Sequence, residues 1–369
     1  MDGRTIALAA AFAALSSPGA ADWRVSGFFS ERLTLEDNPD READGGDAAA
    51  FSVTDLGLSF AAETPRGSVI FAPGVRGFVS VGDDEDPTLL PRLSSSADIR
   101  GRRGTLAASL NVTPDFVRDA QFEDSGATSA NALQVDVSGA VNGSLLLDPR
   151  HSLTAGLLAR GRIFTEDTVN LSNNTTFGAD LGLRRAATQA TTLTSSLGAR
   201  LFESDDSGAS QSLSLRFGFD HLATERIVLG GNLGASLTSG DGEDVTPGVV
   251  GGLTFSYAGE RGSVEASLSQ DVDQGSDGEV ATVSALGVAV NRELTQRASL
   301  SLAGRATVRS SVFGGDAEDR QTLSLTPSFR YALTADWSTR LGYTFRASRE
   351  EDEDILSNAV FLQLSYRFE

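Results

Sequence analysis

The stretch LQVDVSGAVNGSLLL, residues Leu133 to Leu147, decides the fold of this chain. Its apolar residues and glycines recur at every second position, which is the period of a β-strand with two unlike faces. Residues 153–163 repeat the alternation, and only the polar stretch 148–151 separates the two segments. Together they predict one β-hairpin.

The same alternation returns eighteen times between Trp23 and Phe368, with no Pro/Ser-rich linker and no helical period long enough to mark a domain boundary. Most of these segments exceed the roughly 9–11 residues that a tilted strand needs to cross the hydrocarbon layer. The weakest is 92–100, whose Ser94, Ser95 and Ser96 have little apolar character. We therefore predict an all-β fold, a single transmembrane antiparallel up-and-down β-barrel of about 18 strands.

The composition is compatible with this prediction. The mean hydropathy of −0.11 is that of a soluble protein, but every barrel strand averages an apolar face with a polar one. Cysteine is absent, so disulfides, thiolate metal sites and a cysteine nucleophile are excluded. A soluble β-solenoid or a large β-sandwich is the alternative, and neither predicts the loop and aromatic patterns described below.

The first residues predict a cleavable signal peptide. Arg4 precedes the apolar run 5–15, and the small residues 16–21 suit signal peptidase. The run is shorter than the roughly 20 residues of a spanning helix. We assign residues 1–21 to the signal peptide and residues 22–369 to an outer-membrane β-barrel.

The connections between strands alternate in length and charge. One set is short and often basic, as in Thr64-Pro65-Arg66-Gly67, and the other is longer and acidic, as in Glu36 to Asp47. Nine acidic segments hold 34 of the 50 Asp and Glu residues. Short periplasmic turns and longer external loops are typical of outer-membrane barrels. We expect the outer membrane of a Gram-negative bacterium, with both termini in the periplasm and with lipid and lipopolysaccharide as surroundings.

Several aromatic residues occupy outward-facing strand positions close to the short turns. This is where the interfacial aromatic girdle of a membrane barrel is expected. The predicted girdle consists of Trp23, Tyr257, Tyr331, Trp337 and Tyr366. The last strand alternates through Tyr366 and Phe368, similar to the C-terminal signal that the barrel-assembly machinery reads, although Glu369 follows the final aromatic residue.

The N-terminal third resembles the β-barrel porin 2 family. The similarity lies in Phe29 to Asn38, a strand that ends in Asp-Asn soon after the signal peptide, and in Pro91-Arg92-Leu93 with the basic turn and Leu106 to Leu110 that follow. Members of that family are outer-membrane barrels, some of them linked to exopolysaccharide systems. The resemblance implies localisation more than function, and it suggests periplasmic polysaccharide-export partners.

Arginines within the predicted strands occupy the positions that alternate with the apolar residues. If the apolar positions face lipid, these arginines face the lumen. We predict a pore lined by Arg24, Arg32, Arg76, Arg160, Arg162, Arg200, Arg216, Arg305, Arg309, Arg330, Arg340 and Arg346. Inward acids are fewer, namely Asp55, Asp136, Asp180, Asp220 and Glu265. A lumen with this excess favours anions, unless pairing with those acids cancels the field. An arginine facing lipid would cost roughly 2–4 kcal/mol, which alone explains the parity.

Catalytic and metal sites have weak support. The two histidines, His151 and His221, lie near short turns, and Asp220 beside His221 would point to the opposite face. Residues 271–279 space carboxylates with glycines like a loose EF-hand loop, but they lack its spacing and its final Glu. Weak divalent-ion binding shared with lipopolysaccharide phosphates is one interpretation of these residues, but solvated charges that keep the loops soluble explain them better. We expect no enzyme activity, no cofactor and no metal, and the net charge of −20 argues against nucleic acid as a partner.

The leading functional prediction is a porin-like channel for passive passage of small solutes, with anionic solutes or saccharides favoured. An eighteen-stranded barrel encloses more space than side chains fill. The longest loop, 114–129, could fold partly inward through Phe116, Val117 and Phe122. The alternative is a non-conducting barrel that serves exopolysaccharide export or envelope assembly.

Overall fold

The computed structural model describes residues 22–39, 45–81, 87–120, 122, 133–165, 171–205, 207–313, 320–350 and 353–368. The predicted signal peptide, residues 1–21, lies outside these residues. The strands are β1 (Asp22–Glu36), β2 (Ala49–Thr64), β3 (Gly67–Val81), β4 (Thr88–Arg100), β5 (Gly104–Phe116), β6 (Leu133–Leu146), β7 (His151–Phe164), β8 (Asn174–Ala186), β9 (Thr191–Ser204), β10 (Gly208–Thr224), β11 (Ile227–Gly240), β12 (Thr246–Ala258), β13 (Gly262–Gln274), β14 (Val280–Glu293), β15 (Ala298–Ser311), β16 (Arg320–Ala332), β17 (Trp337–Glu350) and β18 (Glu353–Phe368). A short helix, α1 (Val117–Ala120), follows β5.

The eighteen strands form one closed antiparallel sheet. Each strand pairs with the next in the chain, and β1 pairs with both β2 and β18, so the sheet has no free edge. Closure satisfies the main-chain polar groups without water, which a membrane requires. The predicted fold class is confirmed, including the serine-rich strand, which is longer than predicted (Thr88–Arg100).

The outer wall is apolar. Leucine, valine and phenylalanine side chains at alternate positions are exposed around the barrel, with Leu89 at 72% and Leu233 at 67%. A continuous exposed apolar surface of this kind is foreign to soluble monomers and suits lipid contact. In the described part of the chain, no helix is long and apolar enough to cross a membrane.

The two rims differ. Connections at the rim that holds the start of β1 and the end of β18 are two to four residues long. At the opposite rim they reach sixteen residues, between β5 and β6, although β17 and β18 are only two residues apart. The predicted asymmetry in loop length therefore holds for most connections.

Two segments at the long-loop rim fold inward. Phe116 packs at 5.5 Å from Phe51 and 4.9 Å from Phe78, measured between ring centroids, and Val117 is fully buried. This aromatic cluster turns the chain after β5 into the lumen. The inward folding predicted for Phe116, Val117 and Phe122 is consistent with this packing, since all three side chains are buried.

The second inward segment is the connection between β13 and β14, residues 275–279. Its Gly275 carbonyl accepts a hydrogen bond from Asn174 Nδ2 (2.9 Å), and the Ser276 carbonyl accepts one from the Ser172 main-chain N–H (2.8 Å). Arg162 Nη1 lies 3.3 Å from the preceding Gln274 carbonyl oxygen. Because β7 and β13 are six strands apart in the sheet, the segment must reach inward from the wall to make these contacts. We call residues 274–279 the strap.

Candidate functional site

The alternation of side chains along each strand determines which face of the barrel wall each predicted pore-lining arginine occupies. All twelve positions alternate with exposed apolar side chains of their own strands, as Arg216 does between Leu215 and Phe217. A guanidinium at such a position lies on the lumen side because the other face of the wall is apolar.

Most of these arginines are neutralised by carboxylates. Four of the five predicted inward acids form ion pairs, with N–O distances of 2.8 Å for Arg76–Asp55, 3.4 Å for Arg160–Asp136, 3.1 Å for Arg200–Asp180 and 3.5 Å for Arg184–Asp220. Arg216 pairs with Asp271 at 2.6 Å and Arg309 with Asp277 at 3.3 Å, and both aspartates lie within the acidic segment 271–279 that resembles a loose EF-hand loop. Pairing therefore removes much of the positive potential that the arginine count alone implies.

Two carboxylates of residues 271–279, those of Asp271 and Asp277, pair with different arginines. No group of three or more His, Asp or Glu side chains with a geometry for metal binding occurs among the described residues. The loose EF-hand pattern in the sequence thus corresponds to a strap fixed by ion pairs to the barrel wall.

A cavity of about 600 Å³ lies where the α1 segment meets the wall. Its charged lining consists of Arg32, Arg76, Arg340, Arg346, Asp55, Asp115 and Asp119, and its aromatic lining of Phe51, Phe122 and Phe361. The volume is in the range of small-molecule pockets, about 300–1,000 Å³. The site thus combines guanidinium groups with apolar ring surfaces.

Strand β17 and helix α1 face each other across one side of this cavity. Arg346 donates through Nη2 to Asp119 (2.6 Å) and through Nη1 to Glu36 (3.1 Å). Its guanidinium carbon also lies 6.0 Å from the centroid of the Phe122 ring. These contacts hold the inward segment against the wall.

Arg76 performs a similar role on the neighbouring wall. Its Nε donates to Asp55 Oδ1 (2.8 Å) and its Nη1 to the Pro114 carbonyl (2.9 Å). Arg92 also pairs with Asp55, at 3.0 Å. Asp55 therefore joins two arginines, and the end of β5 is tied to β3.

Arg32 and Arg340 differ from the other cavity arginines. Neither forms an ion pair within 4.0 Å among the described residues, whereas Arg76 and Arg346 each contact two carboxylates. Arg32 instead stacks on Phe361, with its guanidinium carbon 4.2 Å from the ring centroid. With four arginines and three aspartates in its lining, the cavity has a formal charge of +1, and these two guanidinium groups are the ones that lack a direct carboxylate contact among the described residues.

Sequence reasoning missed several members of this site. Arg92 has the inward parity of β4 but lies in the strand with the weakest pattern. Asp115 at the end of β5 and Asp119 in α1 belong to a segment whose inward path no local pattern determines. Phe361 has inward parity in β18, which was a detectable signal. Glu36 contacts Arg346 across 310 residues of sequence.

The predicted girdle residues lie on the outer face beside the short turns. Trp23 is 59% exposed, and Trp337 stacks on Tyr366 with 4.6 Å between ring centroids. Tyr366 in turn stacks on Phe368 (5.8 Å). The histidines make local contacts: His151 Nδ1 lies 2.8 Å from Asp148 Oδ2, and His221 Nδ1 lies 3.0 Å from Thr191 Oγ1.

Comparison with known proteins identifies the fold. No family model and no curated protein sequence matches the chain, so the resemblance to the β-barrel porin 2 family stays a prediction. Solved structures from Pseudomonas aeruginosa do match. OpdQ has a TM-score of 0.53 at 9% identity, covering 94% of this chain and 98% of OpdQ. For OccK11 (OpdR) the values are 0.51 and 12%, covering 94% and 96%.

The structure of OccK2 (OpdF) in complex with glucuronate matches with a TM-score of 0.50 at 14% identity, covering 94% of this chain and 98% of OccK2. Each similarity covers nearly the whole length of both chains. The chain therefore has the eighteen-stranded fold of these outer-membrane barrels.

Proposed function

We propose that this protein is an outer-membrane channel for passive passage of small solutes, and that it favours anionic solutes, carboxylated saccharides among them. The observation that carries the proposal is the cavity beside α1, where Arg32 and Arg340 have no carboxylate partner among the described residues. An arginine in a low-dielectric wall raises the local concentration of anions.

The cavity lining suits a carboxylated sugar. A guanidinium group binds a carboxylate through two parallel hydrogen bonds, and the rings of Phe361 and Phe122 offer apolar surface to a pyranose face. The glucuronate in the OccK2 complex supports the same ligand class for a barrel of the same fold.

The membrane setting is part of the proposal. A signal peptide over residues 1–21 exports the chain, the barrel-assembly machinery reads Tyr366 and Phe368, and the long acidic loops face outward beside lipopolysaccharide while both termini face the periplasm. The loop asymmetry and the apolar outer wall support this orientation.

The test is the conductance of the refolded protein in a planar bilayer, with the reversal potential measured under a salt gradient. Stable open steps with an anion-selective reversal potential are expected, and glucuronate added to one side should reduce the step size more than neutral glucose does. Cation selectivity would contradict the role of the arginines. Folded protein that gives no steps would favour the non-conducting role in exopolysaccharide export or envelope assembly.

A further inference from the structure

Six of the eight short turns place an arginine at the same structural position. In each of them the main-chain carbonyl of the arginine accepts a hydrogen bond of 2.6–2.9 Å from the end of the next hairpin's first strand. The six residues are Arg66, Arg103, Arg150, Arg226, Arg261 and Arg297. The other two turns have Ala190 and Asp336 there. The shared backbone contact fixes the six arginines at equivalent points around one rim, and we call them the arginine collar.

The collar side chains are available for a ligand. All six are exposed. Within the described part of the chain, only Arg226 of the six forms an ion pair, with Glu260 at 3.1 Å, and both of those side chains are more than half exposed. Exposed pairs of this kind are worth little, so even Arg226 can exchange its partner for an external anion.

The rim that bears the collar is positively charged, whereas the chain as a whole is negatively charged. Its eight turn segments contain seven arginines and four carboxylates, a net charge of +3. The connections at the opposite rim contain 26 Asp and Glu residues and two arginines. A protein with a net charge of −20 therefore presents a positive ring at one end only.

The collar lies at the depth of lipid headgroups. Trp337 begins β17 directly after a short turn, and its stack with Tyr366 lies on the outer face at this rim. Such aromatic residues occupy the boundary between hydrocarbon and headgroups. Strands about 4.8 Å apart and tilted by about 40° put neighbouring collar positions about 12 Å apart along the rim.

We propose that the arginine collar binds the phosphodiester headgroups of anionic glycerophospholipids in the leaflet at the short-turn rim. Guanidinium groups bind phosphate oxygens through paired, charge-assisted hydrogen bonds. Each basic residue near an anionic lipid surface strengthens binding about fivefold. The proposal rests on the membrane orientation given under the proposed function, in which this rim faces the periplasm.

The experiment measures lipid binding by the full-length, refolded protein in nonionic detergent. Native mass spectrometry follows the binding of short-chain phosphatidylglycerol and, separately, of phosphatidylcholine. We expect preferential binding of phosphatidylglycerol, weakened at least tenfold in the triple variant Arg66→Gln, Arg103→Gln, Arg150→Gln. A matched triple variant, Arg24→Gln, Arg184→Gln, Arg330→Gln, removes three exposed charges near the same rim that have the inward parity of their strands, and it should lose less than threefold.

The proposal would be overturned by equal binding of both lipids by the wild-type protein, by equal losses in both triple variants, or by displacement of the lipid by inorganic phosphate at equal concentration. Selective binding of an acidic periplasmic protein in place of lipid would overturn it as well. Heat-modifiable mobility on gels establishes that each variant is folded. Bilayer insertion of the same preparations distinguishes failure of this proposal from failure of the proposed function. A barrel that inserts and conducts but has no lipid preference would refute lipid binding by the collar without contradicting the channel proposal.

Discussion

Arg346 Nη2 lies 2.6 Å from Asp119 Oδ1, and this contact joins strand β17 to helix α1 across 227 residues of sequence. The same guanidinium contacts Glu36, whose side chain is fully buried at the end of β1. Three distant parts of the chain therefore meet at one arginine, and the position of α1 in the lumen depends on it.

Replacing Asp119 by Asn should loosen α1 from the wall, because an amide oxygen accepts a weaker hydrogen bond from Arg346 than a carboxylate does. A hydrogen bond to a charged group contributes roughly 1.5–3 kcal/mol, and Arg346 keeps its second partner, so the loss of stability should fall near the lower value. Conductance should rise and anion preference should increase, because a negative charge leaves the cavity. Asp354→Asn is the control, since Asp354 pairs with the exposed Arg349 away from the cavity (2.6 Å). Unchanged single-channel currents in the Asp119 variant would contradict a role of α1 in the pathway.

The seam between β1 and β18 is predicted to be sensitive at Gly27. A Cβ atom on Gly27 would lie 1.8 Å from Cζ of Phe368, so the ring would have to leave its place over the glycine. Gly27→Ala should destabilise the barrel by about 1 kcal/mol and slow its closure. Urea unfolding monitored by gel mobility measures both effects. Gly139→Ala, where the nearest atom would be 3.7 Å away, serves as the control. Equal stability of the two variants would exclude the seam contact.

The strap should loosen when Asn174 is replaced by Ala. Asn174 Nδ2 donates to the carbonyls of Gly275 (2.9 Å) and Ser172 (3.2 Å), and its side chain is buried. Removal leaves buried acceptors unsatisfied, at roughly 1–3 kcal/mol. Hydrogen exchange of residues 275–279 should accelerate and open-channel noise should increase. Asn111→Ala removes only an exposed bond to Ser94 (3.0 Å) and should change neither.

Asp148 in the turn between β6 and β7 should titrate at unusually low pH. Hydrogen bonds from the main-chain N–H of Arg150 (2.7 Å) and from His151 lower the pKa of its carboxyl below the ordinary value. Because the folded-state pKa is depressed, the stabilisation is present above the ordinary aspartate pKa and is lost as the pH falls through the folded value. An NMR titration of the Asp148 carboxyl measures this directly. Asp148→Asn should remove the effect, and a midpoint at or above the ordinary value would refute it.

The strands could be predicted from the sequence because their two faces meet different solvents. The serine run at 94–96 obscured this pattern, yet β4 extends over Thr88–Arg100 because it pairs with both β3 and β5. The inward parity of Arg32 and Arg340 followed from the same rule. Periodicity alone could not indicate that Asp115 and Asp119 approach the arginines, since that depends on how Phe116 packs against Phe51 and Phe78.

The sequence indicated that inward acids could pair with the arginines, but not which arginines would stay without a partner. Counting arginines predicts a strongly positive lumen, whereas the contacts leave Arg32 and Arg340 as the cavity arginines without a carboxylate among the described residues. Selectivity therefore depends on which guanidinium groups stay uncompensated, and that is a property of three-dimensional contacts.

The reversal potential of the double variant Arg32→Gln, Arg340→Gln under a salt gradient tests the central claim most directly. The control is Arg200→Gln, Asp180→Asn, which removes a neutral ion pair (3.1 Å) from the lumen wall. We predict that the first variant loses its anion preference and that the control keeps the wild-type reversal potential. An unchanged reversal potential in a folded, conducting Arg32, Arg340 variant would show that these two arginines do not set the selectivity of the channel.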